Sequence, residues 1–147
     1  MNYNSNFDEH YRKSVLTMVN DVSEPIIGDD EITLFLGQPV YQSGTALEAS
    51  DHSHKILRKG LYRADASVIF VPATDGIATI RILLDGKELS ASRNQVSVRA
   101  GEYCTIATCV PAFDRGESTS LSPRIELTIR SVAGCVIRTM LSTTKLA

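Results

Sequence analysis

Residues 60–89 read GLYRADASVIFVPATDGIATIRILLDGKEL, and this stretch decides the fold. From Leu61 to Val71 the period is two. Tyr62, Ala64, Ala66, Val68 and Phe70 fall on one face, while Leu61, Arg63, Asp65, Ser67, Ile69 and Val71 fall on the other. Pro72 and the Asp75-Gly76 turn close this strand. Ala78, Ile80, Ile82 and Leu84 then share a face, with Thr79 and Arg81 between them. Asp85-Gly86 predicts a tight hairpin across residues 83–89, because a type I′ turn needs positive φ and glycine adopts it without steric cost.

The same period continues toward the C-terminus. Val96-Ser97-Val98 is a short strand, and Ala100-Gly101-Glu102 turns the chain into another running from Tyr103 to Val110. There Cys104, Ile106, Thr108 and Val110 share one face, and Tyr103, Ala107 and Cys109 lie outside it. A polar loop spans Asp114 to Pro123. Ile125, Leu127 and Ile129 alternate with Arg124, Glu126, Thr128 and Arg130, and Gly134 precedes a last strand from Cys135 to about Leu141. Toward the N-terminus, Ile32 to Leu36 is a short strand stopped by Gly37 and Pro39, and the polar, turn-rich residues from Gln42 to Lys55 read as a surface loop. Some eight strands joined by short turns, with no helical period between them, predict an all-β antiparallel sandwich or barrel, for which a jelly roll is the natural closure.

The first 30 residues differ. Phe7, Tyr11, Val15, Met18 and Val22 recur at spacings of four, four, three and four, the stripe of an amphipathic helix with Asn6 as N-cap. Pro25 and Gly28 end it. The division expected is therefore an N-terminal helix or arm over residues 1–30 and a jelly-roll domain over residues 31–147. Such a helix either packs on its own sheet or docks on a partner.

Several function classes are disfavoured by composition. The formal net charge is −2 and the basic residues are dispersed, with Arg12-Lys13 and Arg58-Lys59 as the adjacent pairs, which argues against direct nucleic-acid binding. No apolar run approaches the roughly 20 residues of a membrane helix. The segment from Met1 to Asn6 lacks the features of a secretion signal, so a soluble protein made in a cytoplasm is expected. Three cysteines without CxxC spacing predict free, mostly buried thiols.

Candidate chemistry is sparse. His52 and His54, at i and i+2, would share a side of a strand and are the weak metal candidates, with Asp51 or a second subunit needed to complete a site. Asp75, Asp85 and Asp114 sit in turns, where capping is the ordinary role and Ca²⁺ the sharper one. No G-x-S-x-G elbow, G-x-G-x-x-G loop or P-loop is present, so no catalytic residue and no cofactor are assigned.

Three landmarks carry a resemblance: Gly60-Leu61-Tyr62 opening a strand, the hairpin from Leu83 to Leu89, and Val98-Arg99-Ala100-Gly101-Glu102 entering another. In this order they resemble the globular C1q/TNF-like jelly roll, over roughly Gln38 to Ala147. The resemblance implies ten strands, a compact homotrimer with both termini near its base, and a binding or structural role without catalysis. Lacking a collagen-like segment, the arrangement looks like the modules found in tailed-phage virions, as a capsid decoration or head-fibre subunit. The partners expected are the protein itself and the major capsid protein or another virion protein, and the location expected is the virion. Because strand faces outside the core set are also apolar, a subunit seam is expected there; Tyr62, Phe70, Tyr103 and Ile137 are assigned to it, and Phe7, Tyr11, Val15 and Met18 to docking. Two other readings compete. A receptor- or carbohydrate-binding module would use the distal loops, which contain no aromatic residue; a cupin-like metalloenzyme would use His52 and His54 but lacks the further Glu and His.

Overall fold

The computed structural model describes residues 13–116 and 122–147. In chain order the strands are β1 (Val15–Asn20), β2 (Glu24–Ile26), β3 (Ile32–Thr33), β4 (Gln38–Ser43), β5 (Leu47–Ser50), β6 (Ser53–Ile56) and β7 (Gly60–Pro72). They continue as β8 (Gly76–Leu84), β9 (Lys87–Glu88), β10 (Asn94–Val98), β11 (Cys104–Asp114), β12 (Arg124–Ser131) and β13 (Gly134–Lys145). One sheet runs β11-β7-β13-β1-β4, with β2 also on β13. The other runs β10-β8-β12-β6-β5, with β3 on β12 and β9 on β8. All pairs are antiparallel, and the chain crosses between sheets at β2–β3, β3–β4, β4–β5, β6–β7, β7–β8, β10–β11, β11–β12 and β12–β13. This is a jelly roll.

The alternation that predicts the long strands also builds the core. Tyr62, Ala64, Ala66, Val68 and Phe70 of β7 face Ala78, Ile80 and Ile82 of β8 and Ile125, Leu127 and Ile129 of β12, all essentially without exposure. Asp85 (φ 52) and Gly86 (φ 81) form the predicted left-handed pair between β8 and β9.

The N-terminal helix is not formed in the described residues: Val15–Asn20 is β1, paired with both β13 and β4. On a strand Val15 and Met18 lie on opposite faces, so the apparent helical stripe dissolves. Leu16, Met18 and Asn20 turn inward instead, and β-branched Val15, Thr17 and Val19 turn outward. β1 and β2 belong to the first sheet, so the sandwich includes residues 15–26, ahead of the expected boundary at residue 31. Phe7 and Tyr11 lie outside the described residues.

The expected surface loop from Gln42 to Lys55 is also corrected. It contains the end of β4 and both strands of the β5–β6 hairpin, with Ser43, Ala46, Leu47, Ser53 and His54 buried. Its polar residues are spent inside the fold. Ser14 Oγ accepts the Thr45 and Ala46 N–H groups (3.1 and 3.0 Å), and Ser43 Oγ donates to the Lys13 carbonyl (2.9 Å).

Gly37 is the tightest backbone contact of this region. Its φ is +78°, and a Cβ there would lie 2.1 Å from the Val19 carbonyl oxygen. Gly37→Ala is therefore expected to destabilise by more than about 2 kcal/mol, against about 1 kcal/mol for Gly86→Ala, where the turn is open to solvent. Urea denaturation of the two variants checks the order.

Candidate interaction surfaces

The outward face of the first sheet is built from small and apolar side chains. Register places Val19, Met140, Ser67 and Ala107 in one row across β1, β13, β7 and β11, and Thr17, Ser142, Asp65 and Cys109 in the next. Thr17 and Ser142 close on each other through a 2.7 Å hydroxyl–hydroxyl hydrogen bond. Ile69, Val71 and Thr105 extend the face toward the exposed Tyr103, and Phe113 extends it at the other end. Its charges are few and paired: Arg63 with Asp65 at 3.2 Å, and Arg138 with Asp21 at 3.1 Å.

The outward face of the second sheet is the opposite in character. The Arg81 guanidinium donates to both carboxylate oxygens of Glu31, and Thr128 Oγ1 donates to Glu31 as well (2.8 Å). The bonds from Arg81 hold the Glu31 carboxyl below the usual carboxylate range against its partial burial. Glu88 links Arg81 to Arg93, and Arg130 stands beside Thr79 and Gln95 around a depression of about 340 Å³. Covering this face would strip water from several charges at a cost of several kcal/mol each, whereas covering the first face would bury only the Arg63–Asp65 and Arg138–Asp21 pairs.

The two ends of the sandwich differ in sign. At the end where β1, β7 and β12 begin lie Lys13, Arg58, Lys59, Lys87, Arg115, Arg124 and Lys145, against Asp85 and Asp114, a formal charge of +5 among the described side chains. Lys13, Arg58 and Lys145 surround a depression of about 220 Å³ there. At the opposite end lie Asp21, Glu24, Asp29, Asp30, Asp75 and Glu102, against Arg99 and Arg138, a formal charge of −4.

Tyr62 and Phe70, assigned to the seam from sequence, are wholly buried in the protein's own core and cannot meet a second copy. The period of two separates the faces of β7 without saying which one its own second sheet covers. The Tyr62 hydroxyl instead donates to the Arg58 carbonyl, and burial together with the nearby Asp114 carboxylate pushes its pKa up to about 12. Tyr103 is 74% exposed, and Ile137 is half-buried at a bulge in β13. Met18, assigned to docking, is a core residue, and Val15 lies within β1 on the outward face. Val19, Ser67, Ala107 and Met140 are the face residues that sequence reasoning missed. The alternation of β7 and β11 already marked two of them; the helical reading hid Val19.

The two weak metal candidates do not converge. His52 sits exposed in the turn before β6, edge-on to the Phe35 ring at 5.7 Å between centroids. His54 is buried between the sheets, its Nδ1 2.8 Å from Thr143 Oγ1 on β13 and its Nε2 without a partner among the described residues. Burial alone lowers its pKa to about 3. Among the described residues no group of three His, Cys, Asp or Glu side chains could hold a metal ion. Asp114 caps its own turn by accepting the Gly116 N–H (3.0 Å), whereas Asp75 accepts the Ala100 N–H (2.9 Å) and so ties the β7–β8 turn to the turn before β11. The cysteines are free, but none is buried as expected: Cys104 and Cys135 are half-buried and Cys109 is exposed. Asp65 beside it raises the thiol's pKa, which makes it a poor nucleophile at neutral pH. No described helix is long and apolar enough to cross a membrane.

No protein-family model and no curated protein matches this chain. Solved structures do. Murine APRIL superposes with a TM-score of 0.68 at 21% identity, over 92% of this chain and 100% of APRIL. Eiger TNF from S. frugiperda gives 0.65 at 8% identity, over 92% of each chain. The PRD1 vertex protein P5 gives 0.59 at 14% identity, over 91% of this chain and 97% of its own. At these identities the likeness concerns the fold, which is a TNF-like jelly-roll sandwich.

Proposed function

We propose that the protein is a non-enzymatic structural subunit of a tailed-phage virion, a homotrimeric capsid decoration or head-fibre protein that docks through the segment preceding β1. The observation that carries the reading is the contrast between the two outward sheet faces. One carries two ion pairs among small and apolar side chains; the other is a connected lattice of ion pairs. A sheet apolar on both sides is stable in water when something covers its second side, and a copy of the same chain is the cover that requires no further component. Tyr103 and Ile137 stay in the proposed seam, joined by Val19, Ile69, Ala107 and Met140. Phe7 and Tyr11 stay in the proposed docking segment. The fold likeness to a phage vertex protein supports a place on a particle, with the major capsid protein or another virion protein as partner.

The seam is tested by Met140→Glu and Ser67→Arg, which put a charge or bulk at its centre while leaving the core untouched. Both are expected to reduce the oligomer to monomers in sedimentation with little change in far-UV circular dichroism. Arg130→Glu on the other face is expected to leave the mass unchanged. Retention of the wild-type mass by both seam variants would remove this face from the assembly.

A further inference from the structure

We propose that the protein also associates head to tail, the basic end of one copy resting on the acidic end of the next. The formal charges of +5 and −4 lie at opposite ends of the strands. Folding uses some of them: Asp21 pairs with Arg138, and Glu24, Asp75 and Asp114 accept backbone N–H groups. Lys13, Arg58, Lys59 and Lys145 form no ion pair among the described residues, and neither do Asp29, Asp30 and Glu102. Like charges gathered at one end repel, so each end is favoured by a surface of opposite sign. The other end of the same chain is such a surface, and it is the complementary one this structure contains. A contact between two different ends does not close on itself, so it propagates as a column.

The contact does not depend on the lateral seam, but it rests on the reading of the protein as an assembling subunit. In a trimer whose axis follows the strands, three basic ends would share one base and three acidic ends the other, multiplying the attraction. Because the charges are exposed, the association is salt-sensitive: the screening length falls from roughly 30 Å at 0.01 M to about 10 Å at 0.1 M salt.

The test is sedimentation velocity of the full chain over a hundredfold range of concentration, at low salt and at 300 mM. At low salt, species larger than the basic oligomer are expected to grow with concentration and to vanish at 300 mM. Two charge-reversed proteins complete it: Arg58→Glu with Lys59→Glu at one end, and Asp30→Lys with Glu102→Lys at the other. Each alone is expected to lose the large species, and an equimolar mixture is expected to regain only a species of twice the basic oligomer, because the intact acidic end of one variant then meets the intact basic end of the other. A single size for the wild type at both salt concentrations would overturn the proposal. So would binding of a polyglutamate peptide or duplex DNA to the basic end without any self-association, which would assign that end to a foreign anion. The mass at 300 mM salt reports the lateral seam separately, so failure of one contact is distinguishable from failure of the other.

Discussion

Truncation of Phe70 to alanine is expected to lower the unfolding free energy by about 3–5 kcal/mol and to leave the native mass unchanged. Phe70 is fully buried in β7, and its ring lies against Gly134 of β13, where a Cβ would come within 2.6 Å of the ring's Cζ. Gly134 has no side chain with which to fill the void, and the sheet holds the ladder partners of Phe70, Val136 on β13 and Cys104 on β11, in place on either side. Tyr103→Ala, by contrast, is expected to stay within about 0.5 kcal/mol in the monomer, since Tyr103 stands in solvent. Chemical denaturation with parallel light scattering separates the two roles. A Phe70→Ala protein of unchanged midpoint and altered mass would return this residue to the seam.

The second large effect is a loss of stability in mild acid that originates at His54. Its folded pKa of about 3 lies below the ordinary 6.5 because the imidazole is buried between the sheets. The neutral form is therefore the one the fold accepts. Above pH 6.5 both folded and unfolded chains carry it neutral, and the stabilisation is fully present. Between pH 6.5 and about 3 the unfolded chain takes up a proton that the folded chain refuses. Stability then falls with a limiting slope near 1.4 kcal/mol per pH unit, a total on the order of several kcal/mol. His54→Leu is expected to abolish the slope between pH 6.5 and 5, above the range where Glu31 and Glu88 add their own loss as their lowered carboxyls protonate. The leucine leaves the Thr143 hydroxyl without its imidazole partner, so the variant starts lower at neutral pH and is flatter. Equal slopes in the two proteins would place the titrating group elsewhere.

What could be read in advance was the part of the chain whose polar and apolar residues alternate. In β7, β8, β11 and β12 each inward position but Asp114, at the end of β11, is apolar or small, so the period of two survives in the sequence. β1 was hidden because its outward residues are about as apolar as its inward ones: Val15, Thr17 and Val19 are half-buried on the outward face, and the resulting run mimics a helical stripe. The β4–β6 region was hidden for the converse reason. Ser43, Ser53 and His54 are polar yet buried, bonded to or packed among backbone groups and Thr143, and composition alone cannot distinguish that from a surface loop. The choice between core and seam on β7 was closed to sequence because both faces carry large apolar residues, Phe70 on one and Ile69 on the other. Only the position of the second sheet decides it. The charge separation between the ends was likewise written in the residues but needs the direction of every strand before it can be summed.

The central claim is that the outward face of the first sheet joins three copies of the chain. Light scattering on the full protein in 300 mM salt, where end-to-end contacts are screened, tests it most directly. The mass expected is three times 16.1 kDa, about 48 kDa, falling to 16.1 kDa for Met140→Glu. A wild-type mass of 16.1 kDa at micromolar concentration would contradict it.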